Sequence, residues 1–489
     1  MYMQEKNYNE NENQILKELR IEQKKNEELI FGKKTPQEIA EKKELDRLEE
    51  LNNLKMSFRK DKKDGIDAIA KYLVEKYHFK TICGQKNDEL YIYKDGIYIL
   101  DLGRKIIKQE LERILEELCT THYVNEVIEK IKRQTFVEIN KDDFHNKNYH
   151  LLCLQNGILD IKNKELKKHN EDILFLSKIP VNYNQNADCP NVKQFFKDVL
   201  YPEDIAVAQE WLGFCLYRDY FIKKAIILVG EAHGGKTTML NLLTRFIGSE
   251  NICGESLQRL AKDRFASASL HGKLSNIYDD LTFEDISSGG AFKMATGSSR
   301  LTAEHKFGDR FHFISFAKLT FAANKIPSIK DTDDDAYFGR WIVIRFDNAF
   351  DENNPKRDIN ILQKITTDEE LSGLLNWALI GLDRLLENGR FGYDKSPENV
   401  KLIMQRSSSS LAAFTQDMLG EKLGGWLSKQ QLYEAYSLYT RKQSISKLTI
   451  EKVGRNIPKI INYITEQKKN NLRGWGNVTL KSDNDIICL

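Results

Sequence analysis

The sequence predicts an α/β protein of several domains built around a phosphate-binding loop. Three observations carry this. Gly230, Gly235, Lys236 and Thr237 stand at the spacing of a complete P-loop. The five residues before it, Ala225 to Val229, are an Ile/Val-rich run of the kind that forms a buried parallel strand. After it, Met239, Leu240, Leu242, Leu243, Phe246 and Ile247 recur at helical spacing, and Gly248 ends the pattern as a C-cap. Strand, glycine loop and helix are the context that gives the motif meaning.

The 489 residues leave room for two to four domains. With 74 Lys and Arg against 72 Asp and Glu, the net charge is only +2, so contact with nucleic acid must come from local patches. The seven cysteines form no CxxC pair, which argues against a zinc site or disulfide framework and fits a reducing compartment. The polar N-terminus is no signal peptide, and no apolar run reaches the roughly 18 residues of a membrane span. A soluble protein without membrane partners is expected.

In chain order, residues 1–62 read as a charged helical or disordered tail, rich in Lys, Glu and Asn. Residues 63–217 read as one α+β domain. It contains an amphipathic helix (Ile66, Ile69, Leu73, Tyr77), a hairpin around Asp95-Gly96, a helical pair over 104–133 and a hairpin turning at Asn156-Gly157. One helical stretch from Phe195 to Tyr217 follows. Residues 218–350 form the P-loop core. Residues 351–410 are a helical segment and linker, with a hinge or surface loop at Arg406–Ser410. Residues 411–489 read as helix, helix and short strands near Arg473-Gly474-Trp475 and Val478–Lys481, an order that suits a winged helix.

In the loop, Gly230, Glu231, Ala232, His233, Gly234 and Gly235 would present backbone N–H groups to phosphate oxygens at a helix N-terminus, with Thr238 following in the first turn. Lys236 supplies charge for β- and γ-phosphates, and the Thr237 hydroxyl can ligate Mg²⁺. Leu274 to Asp280 reads as a strand ending in two carboxylates. Asp279 would hold Mg²⁺ through its water shell and Asp280 would orient or deprotonate a water, although Glu284 and Asp285 stand nearby and a plain acidic turn is the alternative. Lys318 to Asn324 is another strand, ending in an amide that either senses a γ-phosphate or simply opens the turn to Pro327. Arg340 lies between the Asp331–Asp335 loop and the strand Trp341–Phe346. It is placed either to reach a neighbouring subunit's phosphate or to pair with those aspartates. Lys306 and Arg310 flank a hairpin tip. They would grip the phosphates of a strand or, more plainly, discourage edge-to-edge pairing.

P-loop, acidic strand end, the Lys293-containing Thr296-Gly297 segment, Asn324 and Arg340 fall within about 110 residues. In that order they resemble a superfamily 3 helicase, the compact AAA+ branch, and specifically the poxvirus-type and phage/plasmid-type primase-helicases. The 89–98 hairpin, Asn156–Asp160 and Trp211–Leu216 resemble that family's helicase-associated domain, and Leu432–Tyr436 its winged-helix region. The resemblance implies ATP and Mg²⁺ at Lys236 and Thr237, a Walker B pair in Asp279 and Asp280, Asn324 as sensor and Arg340 acting in trans. It also implies Lys306 with His305 on a channel hairpin. It further implies a homohexameric ring moving 3′ to 5′ on single-stranded or forked DNA in the cytoplasm of a prokaryotic host, alongside a separate primase and host replication proteins. An origin-binding initiator or loader with a regulatory ATPase is a second expectation, and an RNA-directed motor a third. Three departures stand out: Asp-Asp for Asp-Glu or Glu-Glu, Ala232-His233 where many members have Gly-x-Asn, and too few residues before the associated domain for a primase.

Overall fold

The computed structural model describes residues 36–82, 88–138, 148–230, 232–279, 281, 290–297, 299–304, 310–324, 326, 334–352, 354–393, 395–442 and 447–481. It is a mixed α/β structure of several sheets, one of them a parallel sheet of five strands. The chain divides into two units: residues 1–92 with 100–137, and residues 93–99 with 138–489.

In the first unit, α1 (Pro36–Lys60) and α2 (Lys62–Tyr77) precede β1 (Lys80–Ile82) and the start of β2 (Glu89–Lys94), while the end of β2 and β3 (Ile97–Leu100) up to residue 99 are counted with the second unit. Helices α3 (Lys105–Leu115) and α4 (Thr121–Gln134) and strand β4 (Phe136–Val137) follow. Leu45 and Leu48 of α1 are exposed, as a solvated helix requires, whereas Phe58 is fully buried, with Leu51 and Leu54 packed beside it. Spacings of three and four residues bring these three onto one face. They meet Ile69, Leu73, Leu111 and Ile131 in a core that α1 thereby joins. The β2–β3 hairpin turns at Asp95 (φ 52°) and Gly96 (φ 90°), the left-handed pair that an Asp-Gly turn requires.

The second unit continues with the antiparallel sheet β5 (Leu151–Leu154), β6 (Gly157–Asp160) and β7 (Glu165–Lys167). The stretch from Phe195 to Tyr217 is not one helix. Helix α5 (Pro190–Val199) ends at an extended Leu200, and α6 (Pro202–Leu216) restarts with Pro202 in its first turn. Proline disfavours a helical conformation in the residue before it, which explains the break. Along α6 nearly every side chain from Val207 to Leu216 is buried, and Trp211 donates its indole N–H to Thr320 Oγ1 at 3.0 Å.

The parallel sheet follows. Strand β8 (Ala225–Val229) leads into helix α7 (Lys236–Ile247). Then come β9 (Ile252–Cys253), β10 (Ser275–Tyr278), the antiparallel hairpin β11 (Arg300–Glu304) and β12 (Arg310–Ile314), β13 (Lys318–Ala323) and β14 (Trp341–Arg345). The order across the sheet is β14-β8-β13-β10-β9, all parallel. The helical segment expected within 351–410 is divided as well, into a short helix Ile361–Ile365 and α8 (Asp368–Asn388), which Thr367 caps through its hydroxyl. Helix α8 crosses α6 closely: a Cβ on Gly213 would lie 2.3 Å from the Ala378 carbonyl oxygen.

Helices α9 (Pro397–Ser408) and α10 (Ser410–Met418) are separated by the extended Ser409, so the serine run is a one-residue break with Leu411 buried behind it. Strand β15 (Leu419–Ser428), helices α11 (Lys429–Lys442) and α12 (Ile450–Ile460), and strands β16 (Thr465–Lys469) and β17 (Leu472–Leu480) complete the chain. The ten-residue β15 is an element that the sequence reading lacked. Its Gly420, Gly424 and Gly425 give little strand propensity, and pairing with β17 makes it a strand. These elements have their own core, including Phe414, Leu432, Tyr436, Ile457, Trp475 and Val478. No helix among the described residues is long and apolar enough to cross a membrane.

Candidate functional site

The loop after β8 is shaped by close backbone approach. A Cβ on Gly230 would lie 2.2 Å from the carbonyl oxygen of Phe346, just past β14, and one on Gly235 would lie 2.9 Å from Val199 Cγ1. His233 takes φ 65° and Gly235 φ 98°, left-handed conformations that fold the chain back into the N-terminus of α7. The Phe350 amide donates to the His233 carbonyl at 3.0 Å, tying the loop to the chain beyond β14.

Lys236 begins α7 and is buried. Its Nζ donates to the Gly230 carbonyl at 2.6 Å and to Asn324 Oδ1 at 3.1 Å. The Thr237 hydroxyl donates to Asp279 Oδ2 at 2.8 Å. Sheet order explains the convergence. β13 lies between β8 and β10, so in parallel register the residues following the three strands emerge side by side: the loop after Val229, Asn324 after Ala323, and Asp279 after Tyr278. Loop amides, a helix N-terminus and an ammonium together suit anionic oxygens. A hydroxyl and a carboxylate beside them are oxygen donors for a hard cation.

These groups line a cavity of about 660 Å³ with Ala232, Gly234 and Thr238. Its other walls were not foreseen. They are Phe195, Asp198 and Val199 at the end of α5, and Phe350, Lys356, Ile359 and Ile361 beyond β14. No local motif marks them, because they meet across about 150 residues of sequence through packing alone. Lys356 Nζ donates to Asp198 Oδ1 at 2.9 Å and Gln194 Nε2 to Oδ2 at 3.2 Å. Partial burial works against the Asp198 carboxylate, yet these two donors hold it below its usual range. Four predicted site residues, Glu231, Asp280, His305 and Lys306, lie outside the described residues, as does Asp331–Asp333. On the flanking hairpin, Glu304 draws in Arg310 at 3.4 Å and Arg264 at 3.3 Å.

Arg340 stands apart from the cavity. Trp341 pairs with Ala225, so Arg340 lies at the start of β14, whereas the loop follows the end of β8. A strand of that length separates the two by roughly 15 Å. Among the described residues, Nε and Nη1 of Arg340 are buried without a hydrogen-bond partner. Burial lowers its pKa, with Tyr220 and Asp334 pulling it partly back. Asp334 itself accepts from Lys293 Nζ at 2.7 Å.

A separate feature is the charge of the C-terminal elements. Residues 419–481 hold twelve Lys or Arg against four Glu and no Asp, a net +8 in a chain of net +2. Lys452, Arg455 and Lys459 are exposed on α12, opposite buried Val453 and Ile457. Lys468, Lys469 and Arg473 are exposed about the β16–β17 turn, where Asn470 and Asn471 both take positive φ.

Comparison with known proteins gives two family matches. Residues 30–201 match the family described as D5 N terminal like, and residues 228–345 match a family of unknown function. No curated protein matches the chain. Among solved structures, the apo structure of the NrS-1 C terminal region (305-718) is similar at 15% identity and a TM-score of 0.46, over 84% of this chain and 98% of that one. The A form of the same region is similar at 14% identity and a TM-score of 0.42, over 83% and 98%.

One prediction concerns the N-terminal edge of the sheet. Lys318 begins β13 and is wholly buried, its Nζ within hydrogen-bonding reach of the carbonyls of Tyr217, Asp219 and Phe316. Burial brings its pKa down to about 7, with Cys215 and Asp219 opposing. The unfolded value is about 10.4. Between these values the unfolded chain holds a proton that the folded chain lacks, so this residue makes stability rise as pH rises from about 7 towards 10. Lys318→Met is expected to flatten that slope, as read from urea midpoints of both proteins at pH 7 and pH 9.

Proposed function

We propose that this chain is an ATP-driven DNA helicase of the superfamily 3, AAA+ type that serves replication of a phage, plasmid or other mobile element. The observation that carries the reading is the gathering of Lys236, the Thr237–Asp279 pair and Asn324 on adjoining parallel strand ends. The match of residues 30–201 to the D5 N terminal like family supports the replication setting. In this reading the loop amides and Lys236 bind the β- and γ-phosphates of ATP, and Asn324 bridges Lys236 and the terminal phosphate. Asp280 orients the attacking water. Thr237 and Asp279 offer oxygen donors that fit Mg²⁺, which when bound neutralises phosphate charge.

Arg340 belongs to a different interface in this scheme. Its distance along β8 from its own loop, and two nitrogens that have no hydrogen-bond partner among the described residues, favour delivery of its charge to the ATP of the next subunit. A closed ring, a hexamer by resemblance, satisfies every such site. The hairpin bearing His305 and Lys306 would then grip single-stranded DNA and draw it 3′ to 5′.

A second reading, an origin-binding initiator whose ATPase regulates assembly, is favoured by the +8 charge of residues 419–481. In this reading the exposed cations on α12 and about the β16–β17 turn would face duplex phosphates as those of a winged helix do.

Unwinding of a forked DNA by the wild type, lost in Lys236→Ala, is the expected outcome; equal unwinding by both proteins, or none by the wild type with ATP, refutes the helicase reading. Arg340→Ala should retain ATP binding but lose hydrolysis by about 10³-fold or more. Mixing it with Lys236→Ala subunits should restore part of the activity, and absence of rescue at every ratio contradicts action in trans. Under the second reading, Lys452→Glu with Arg455→Glu and Lys459→Glu abolishes a footprint on element DNA while DNA-independent ATP hydrolysis persists. An unchanged footprint removes that reading.

A further inference from the structure

Strand β15 is interrupted where it passes Asn477 of β17. Pairing runs from Leu419 with Leu480 to Glu421 with Val478 and resumes at Trp426 with Gly476, so Lys422 to Gly425 stand against the single residue Asn477. A β-bulge leaves its extra residues out of the ladder. Among those left out here is Leu423, 91% exposed, more than any other large apolar side chain among the described residues. Bulges on edge strands commonly guard against pairing with another chain, and β15 is an edge strand of its sheet. That task calls for a charge at the tip, not a leucine.

The bulge is held from beneath. Gly424 takes φ 74°, and its amide donates to Asn477 Oδ1 at 3.4 Å. Asn477 is itself left-handed at φ 61°, and its Nδ2 donates to the Tyr463 carbonyl at 3.5 Å. At Gly425 a Cβ would lie 2.7 Å from the Val478 carbonyl oxygen and 2.9 Å from that of Lys422, so the chain closes back onto the ladder only through glycine. Lys422 is exposed beside Leu423, and residues 419–481 carry the net +8 described above. An apolar tip on strongly cationic elements matches a polyanion with apolar layers inside it. Duplex DNA is such a partner, with phosphates outside and stacked bases within.

We infer that the Lys422–Gly425 bulge is a DNA wedge, in which Leu423 enters between stacked base pairs of a duplex held by its phosphates on the cations of residues 419–481. The inference rests on the reading of these elements as facing duplex DNA and adds which residue reaches the bases. Apolar side chains of this kind unstack a base step and kink the duplex by roughly 20–90°. The cations and the wedge then do different things. Phosphate contacts supply the salt-dependent attraction, and Leu423 supplies the deformation, which no cation on the surface can produce. Leu423 touches only the faces of bases, so it favours easily unstacked steps without reading base edges.

The test separates bending from binding on the full chain. A short duplex DNA carries a donor dye at one end and an acceptor at the other, so that a kink raises energy transfer, and anisotropy on the same duplex gives Kd over a salt series. The proteins are the wild type, Leu423→Ser and Leu423→Met. Leu423 is so exposed that neither change threatens folding, and thermal midpoints of all three check this. At saturating protein the wild type should raise energy transfer, Leu423→Ser should lose most of the rise, and Leu423→Met should keep it. Leu423→Ser should weaken binding by about tenfold or less, with the slope of log Kd against log salt within about one phosphate contact of the wild type. Binding by the wild type without a kink, or an equal kink by Leu423→Ser, overturns the wedge and leaves the duplex reading intact. A salt slope lower by more than one phosphate contact in Leu423→Ser means that the residue acts by placing cations, and also overturns it. So does a change of oligomeric state between wild type and Leu423→Ser in sedimentation, which assigns the leucine to a contact between copies of the chain. Failure of the wild type to bind duplex DNA at all removes the underlying reading instead.

Discussion

The Phe346 carbonyl oxygen occupies the space that a side chain at residue 230 would need. That steric exclusion organises the loop and the strand ends around it. It holds the loop after β8 against the exit of β14, from which Phe350 bonds back to His233. With the loop seated there, Lys236 begins α7 at the point where its Nζ reaches both the Gly230 carbonyl and Asn324. Parallel pairing of β13 between β8 and β10 then brings in Asp279 beside Thr237. A Cβ at position 230 would collide with the backbone of Phe346 and so push the loop away from the chain that leaves β14.

Much of this was legible from local pattern. The strand–loop–helix around Gly230 to Thr237 was readable because a continuous apolar run gives way, past the glycines, to apolar residues spaced by three or four. The Asp95-Gly96 hairpin was readable because so few residues tolerate positive φ twice in succession. The strands before Asp279 and Asn324 were short, partly apolar runs followed by polar residues.

What local pattern did not carry was set by tertiary context. Phe195 to Tyr217 has continuous helical spacing, and its break was marked by Pro202 alone. β15 is glycine-rich and becomes a strand through β17. The α5 and post-β14 walls of the cavity have no motif, since an apolar residue that lines a cavity and one that fills a core look alike in a sequence. The packing of Phe58 likewise depends on partners in α2, α3 and α4.

Charge is divided along the chain in a way that its near-neutral total conceals. With +8 in residues 419–481 and +2 overall, the remaining residues sum to −6. A polyanion drifting towards such a molecule meets attraction at one segment and repulsion from the rest. The first collision is therefore sorted before any specific bond forms, and the bias fades as added ions shorten the reach of the field.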